Sequence, residues 1–123
     1  MTAETSTRII DSDITVIAIS GRLSLGNFLV SLEASMRRAI EEGSRKLIVD
    51  LSGLDFMDSA GIGMLIGCNG LMDQKGGQFR IAGAHGVVAR AFDIVHMSRI
   101  TQLDPDVESA CDHMRAGWQP GSA

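Results

Sequence analysis

Cysteine, net positive charge and long apolar runs are all scarce in this chain of 123 residues. Each scarcity excludes something. The two cysteines, Cys68 and Cys111, lie in apolar segments, with no C-x-x-C pattern and no histidine at ligand spacing. Buried free thiols are therefore expected, rather than a disulfide or a metal site. The formal charge is −4, and only Arg37-Arg38 and Arg45-Lys46 place two basic residues side by side. A nucleic-acid surface needs clustered positive charge to neutralise phosphates, so no direct nucleic-acid binding is expected. No apolar run approaches the ~20 residues of a membrane helix. The start, "MTAETSTRII", lacks the charged and apolar regions of a signal peptide. The expectation is a cytoplasmic protein with no membrane insertion.

What is present suits one globular domain. Apolar residues make up 45% and charged residues 21% of the chain, an ordinary balance for a packed soluble core. The expected domain is 1–123, with its core at about residues 8–115 and a flexible tail over 116–123.

The spacing of apolar residues gives an order of elements. "TRIIDSDITVIAIS" reads as two strands joined by a turn at Asp11-Ser12-Asp13, with Gly21 closing the second. "LGNFLVSLEASMRRAIEEG" switches to helical spacing, with Phe28, Leu32, Met36, Ala39 and Ile40 on one face. Gly43 suits the left-handed stop. "KLIVDL" is apolar on both sides, as a central parallel strand is. "SAGIGMLIGCNGLMDQKG" predicts a second helix, apolar almost all round. Its four internal glycines each cost roughly 1 kcal/mol against alanine, which points to close packing on the sheet. "QFRIAG" is a strand. "GVVARAFDIVHM" is a helix with Val87, Val88, Ala91, Phe92 and Val95 inward. "ITQL" is a short last strand. Asp104 followed by Pro105 predicts the start of a fourth helix, "PDVESACDHMRAG". The sum is β-β-α-β-α-β-α-β-α. Right-handed crossovers make this a mixed, mostly parallel central sheet with about four helices over it.

Ser59 is the residue that most needs explaining. It sits in "LIVDLSGLDFMDSAGIG" between Asp58 and Ala60, where a helix begins. Three roles are open to it: a helix N-cap, a nucleophile, or a site where a partner adds a charge. A nucleophile elbow needs G-x-S-x-G on a strand-turn-helix. Here Met57 replaces the first glycine, and the expected strand end lies about seven residues upstream of Ser59. None of His85, His96 and His113 has a local acid partner that marks it as a base. A dinucleotide fingerprint fails on glycine spacing. An N-cap serine is worth about 1 kcal/mol, a sufficient structural reason for a hydroxyl there. The loop before it, "SGLDFMD", carries Phe56 and Met57; one of the two is expected to anchor the loop and the other to face solvent.

The segment "KLIVDLSGLDFMDSAGIGMLI" strongly resembles the signature of the STAS domain of bacterial anti-sigma factor antagonists. In that family a strand of the form L-x-x-D-L-S leads into a loop carrying F-x-D-S-x-G. "ISGRL", "GGQFRIAG" and "VVARAFDIVHMSRI" match further family segments, in the right order, so that the resemblance covers about residues 8–115. It implies a protein-binding module and not an enzyme, with no cofactor. It also implies that Ser59 accepts a phosphoryl group from ATP. The expected partners are an anti-sigma factor that is itself a serine kinase, bound by the unmodified chain, and a serine phosphatase that resets the switch. If Ser59 were not the acceptor, Ser52 and Ser98 would be the next candidates. The surface expected to meet the partner comprises Arg22, Ser24, Asp55, Met57, Asp58 and Ile62. One departure stands out: many members carry an acidic residue soon after the glycine of the second strand, whereas this chain has Gly21-Arg22-Leu23-Ser24. The alternative implied by the family is a constitutive subunit of a signalling complex or transporter ATPase, with Ser59 only a cap.

Overall fold

The computed structural model describes residues 3–117. Its elements are β1 (Glu4–Ile10), β2 (Ile14–Leu23), α1 (Asn27–Glu41), β3 (Lys46–Met57), α2 (Ser59–Gln74), β4 (Gln78–Ala82), α3 (Gly86–Ile94), a 3-10 turn (Met97–Arg99), β5 (Gln102–Asp104) and α4 (Val107–Gly117). The sheet order is β1-β2-β3-β4-β5. Only β1 runs antiparallel to its neighbour, and the other pairs are parallel. This is the mixed, mostly parallel sheet with four helices that the apolar spacing implies.

The alternation of side chains along the strands divides the core in two. Ile17, Ile19, Leu47, Val49, Leu51, Phe79 and Ile81 point to one face. There they meet Leu32, Met36 and Ile40 of α1, Leu65, Cys68 and Met72 of α2, and Val88 and Phe92 of α3. Ile14, Val16, Ile48 and Ala82 point to the other face, covered by Ala110, Cys111 and Met114 of α4. A strand apolar on both sides is thus explained for β3. Each fully buried leucine or isoleucine contributes roughly 1.5–3 kcal/mol of transfer free energy. Both cysteines are free and buried. Burial pushes the Cys68 thiol up to about 11 and also raises that of Cys111.

Several boundaries differ from the sequence expectation, each for a physical reason. Strand β2 does not close at Gly21 but continues to Leu23, and β3 does not end at Leu51 but continues to Met57. Ser52 and Gly53 have turn chemistry, yet parallel pairing with the extended β2 holds them in the ladder. Register shifts between Ala18 and Ser20, and between Gly21 and Arg22, absorb the mismatch. A Cβ at Gly53 would lie 3.0 Å from the Ser20 Cβ, so a larger residue there would press the two strands apart by a few tenths of an ångström. In α3, Val88 and Phe92 are inward, whereas Val87 is 51% exposed and Val95, at the C-cap, is 40% exposed. The α3 segment carries two overlapping apolar phases, and only one reaches the sheet.

Asp104 does not cap α4. It is buried at the end of β5, where its carboxylate accepts from Arg80 Nε at 2.6 Å and from Arg80 Nη2 at 3.2 Å. His113 Nδ1 lies 2.5 Å from the same carboxylate. Asp106 takes the capping role, accepting from the Ser109 backbone N–H at 2.8 Å. Residues 116 and 117 are helical rather than part of a tail, and 118–123 lie outside the described residues. No helix among the described residues is long and apolar enough to cross a membrane.

Candidate functional site

The site forms where β2 and β3 end together. Leu23 and Met57 are register partners, and the Asp58 N–H donates to the Leu23 carbonyl at 3.1 Å. Asp58 is extended, with φ −94° and ψ −178°, and α2 begins at the next residue. A single residue therefore separates strand from helix, not the seven-residue loop the sequence suggested.

Asp58, not Ser59, is the N-cap. Its Oδ1 accepts from the Gly61 N–H at 3.0 Å. Its Oδ2 accepts from the Leu25 N–H at 2.9 Å. Two adjacent residues had cap-competent side chains, and the backbone gives the extended conformation of a cap to the first. The Leu25 N–H, and then the Gly61 N–H, hold the Asp58 carboxyl below the usual carboxylate range, against the opposing effect of burial. One carboxylate thus ties the loop after β2 to the first turn of α2. Ser59 is left as the first helical residue, exposed, with its hydroxyl relieved of capping duty.

The helix mouth rests on apolar floor. A Cβ at Gly61 would lie 2.6 Å from Met57 Cγ and 3.4 Å from Leu23 Cδ2. Gly61 is therefore what lets the first turn of α2 settle onto the strand ends. Met57 is 5% exposed and belongs to the core. Its expected role as a partner contact is overturned: because β3 extends through it, strand alternation turns Met57 inward and its neighbour Phe56 outward. Phe56 is half-buried, and the Arg22 guanidinium sits over its ring at 4.1 Å from the centroid. This is cation–π geometry. Arg22 is exposed and pre-positioned on an aromatic plate.

The remaining expected residues fall in two groups. Ser24 and Asp55 are exposed. Ile62 is half-buried and packs against the main core. Asp58 is committed to its two backbone partners. The sequence reading missed Leu25, 75% exposed and held by Asp58 beside Ser59. A lone leucine in a Ser/Gly loop has no periodicity to flag it. Exposed Val30 lies on α1 just beyond the same loop.

The tight strand-to-helix turn places Ser59 much as an elbow would, but the rest of a hydrolase is not assembled around it. His85 Nε2 is 2.9 Å from the Ser52 carbonyl, and His113 faces Asp104. His96 takes a left-handed conformation ahead of the 3-10 turn. Among the described residues no three His, Cys, Asp or Glu side chains are grouped so as to hold a metal ion.

Residues 4–110 match the family model of the STAS domain. The chain belongs to the STAS domain family. Among curated relatives, it is 34% identical over 71 residues to the anti-sigma F factor antagonist of Paenibacillus polymyxa. That match covers 58% of this chain and 57% of the Paenibacillus protein, so the chain spans little more than half of that relative's length. It is 25% identical over 77 residues to the anti-sigma-B factor antagonist of Staphylococcus aureus, covering 63% of this chain and 71% of that protein. An anti-sigma factor antagonist from Mycobacterium paratuberculosis superposes with a TM-score of 0.80 at 20% identity, over 93% of this chain and 95% of that one. The Bacillus cell fate determinant SpoIIAA in its phosphorylated form superposes with a TM-score of 0.71 at 21% identity, over 89% and 98%. These two structures share the STAS fold. The D-S-x-G string at residues 58–61, which the sequence singled out, forms the helix mouth of this STAS domain.

Proposed function

We propose that this STAS domain is an anti-sigma factor antagonist, a cytoplasmic binding module rather than an enzyme, switched by phosphorylation of Ser59. The unmodified chain binds an anti-sigma factor that is also a serine kinase, and so frees a sigma factor. The kinase transfers the γ-phosphoryl group of ATP to the Ser59 hydroxyl, releasing ADP, and a serine phosphatase removes it again. The observation that carries this reading is the exposed Ser59 at the first turn of α2, next to a cap residue that leaves its hydroxyl unused. The curated relatives named as anti-sigma antagonists support the partner class. The contact surface is Arg22 on its Phe56 plate, Ser24, Leu25, Asp55, Ser59 and the exposed part of Ile62, with Asp58 holding the loop in place.

The geometry also suggests why the switch acts on binding. Asp58 already occupies the Gly61 N–H and carries negative charge beside Ser59. A phosphate of charge −1.5 to −2 added there gains less from the helix N-terminus than it would at an uncapped one. In a complex it would be desolvated next to a like charge, and an unpaired buried charge costs several kcal/mol.

The test is to incubate the chain with ATP and the partner kinase, or a lysate containing it, and to map the label by mass spectrometry. Phosphate on Ser59 alone, lost in Ser59→Ala, is the expected result. Label on Ser52 or Ser98, or full label in Ser59→Ala, overturns the assignment. Stable partner capture with no phosphorylation favours a constitutive subunit instead.

A further inference from the structure

The two edges of the sheet are protected very differently. Edge strand β5 has three residues and is followed at once by Pro105, a blunt edge that cannot template another strand. Edge strand β1 has seven, of which six are exposed, and its outer side pairs with no strand among the described residues. It carries no proline, no bulge in its pairing with β2 and no lysine. An edge of that length presents a row of free backbone N–H and C=O groups.

The side chains of β1 say what fits it. Ser6 and Arg8 pair with Ala18 and Val16, so Glu4, Ser6 and Arg8 stand on the face that carries α4. Thr5 and Thr7 pair with Ile19 and Ile17, so they stand on the face of the larger core. A two-fold axis perpendicular to the sheet keeps each face on its own side, which limits antiparallel self-pairing to registers that match residues of one face. With the axis at Ser6, Glu4 of each copy lies opposite Arg8 of the other, Thr5 opposite Thr7, and Ser6 opposite itself. A slip of two residues either way loses both Glu4–Arg8 pairs, and a slip of four places Glu4 on Glu4 or Arg8 on Arg8. Opposite charges and paired threonines are favourable cross-strand neighbours, and like charges are not.

We propose that β1 is a self-association edge, through which two copies join antiparallel about Ser6 into one continuous sheet of ten strands. The interface is isologous and closes at two copies, because the blunt β5 edges are left outside. It is small, so the dimer is weak and reversible. It exposes no new apolar surface and partly covers Ile9, 58% exposed in the single chain. This association does not depend on the role of Ser59.

The experiment is sedimentation of the full chain over a range of concentrations, for wild type, Glu4→Arg, Arg8→Glu and the double exchange. Wild type should shift from one copy to two as concentration rises. Each single reversal should raise the dimer dissociation constant about tenfold, from two charge pairs per interface turned repulsive. The double exchange should return it to within about threefold of wild type. A second measurement does not rely on charge. Ser6→Cys, on the axis, should form a disulfide-linked dimer under mild oxidation, and Glu4→Cys, off the axis, should not. A chain of single copies at every concentration, indifference to the single reversals, failure of the double exchange to restore association, or equal cross-linking of both cysteine variants would overturn the proposal.

Discussion

Helices α2 and α4 start in the same chemical way and do different jobs. Each is capped by an aspartate whose carboxyl is held below its ordinary range, Asp58 by the backbone N–H groups of Leu25 and Gly61, Asp106 by the backbone N–H and then the hydroxyl of Ser109. Asp106 bonds within its own first turn, to Ser109. Asp58 bonds its own turn at Gly61 and also Leu25, thirty-three residues earlier in the chain. The first is a local cap. The second is a clasp that fixes a loop, a strand end and a helix mouth around an exposed serine. Helix α4 lies over the sheet and presents no such assembly. A cap whose second oxygen reaches a distant segment ties separate parts of the chain together.

The largest difference should appear on removing the carboxylates. Asp58→Ala loses a cap and a charge-assisted bond to Leu25, a cost of about 2–3 kcal/mol, read from chemical denaturation. Asp106→Ala should cost clearly less and leave partner binding intact, whereas Asp58→Ala should weaken partner binding. Equal costs for the two variants would mean that the Leu25 bond contributes nothing.

Acid should distinguish them next. Both carboxyls have lower folded than unfolded pKa values. Their stabilising contributions are therefore fully present above the ordinary carboxylate range and are lost as pH falls through it to the folded values. The amide resonances of Leu25 and Gly61 should move together on acidification, reporting one titrating group. That of Ser109 should follow a separate curve. Asp58→Asn should abolish the first movement and spare the second.

A smaller effect is expected at Arg22→Ala. Losing an exposed cation–π contact with Phe56 should lower stability by at most about 0.5–1 kcal/mol, with a larger proportional loss in partner affinity. The smallest effect belongs to Ser59→Ala. Because Asp58 holds the cap, thermal unfolding should shift by the equivalent of no more than about 0.5 kcal/mol. A loss of 1 kcal/mol or more would show that the hydroxyl shares the cap after all.

The contrast also shows what could be read in the sequence. The order of elements was legible because each has one dominant period, as in "KLIVDL" or the Leu32-Met36-Ile40 stripe of α1. The ends of β2 and β3 were not. Gly21, Ser52 and Gly53 carry turn chemistry, and only pairing between the two strands keeps them extended. That error placed Met57 in a loop and so on the surface, when one more step of strand alternation buries it. The D-S-x-G string located the helix mouth, yet it could not choose between Asp58 and Ser59 as the cap, since either side chain can do it. The same ambiguity misplaced the cap of α4, where Asp104 and Asp106 stand two residues apart and Arg80 claims the first. Leu25 was invisible because its significance comes from a backbone bond to a residue far away in sequence.

The central claim is that a charge on Ser59 decides partner binding while the fold stays as it is. Titration calorimetry of the proposed kinase partner against the unmodified and the Ser59-phosphorylated chain tests it most directly, with circular dichroism run on both forms. A penalty of ~4 kcal/mol corresponds to a loss of affinity of nearly a thousandfold, and the two spectra should coincide. Equal affinity of the two forms, or unfolding of the phosphorylated one, would contradict the account.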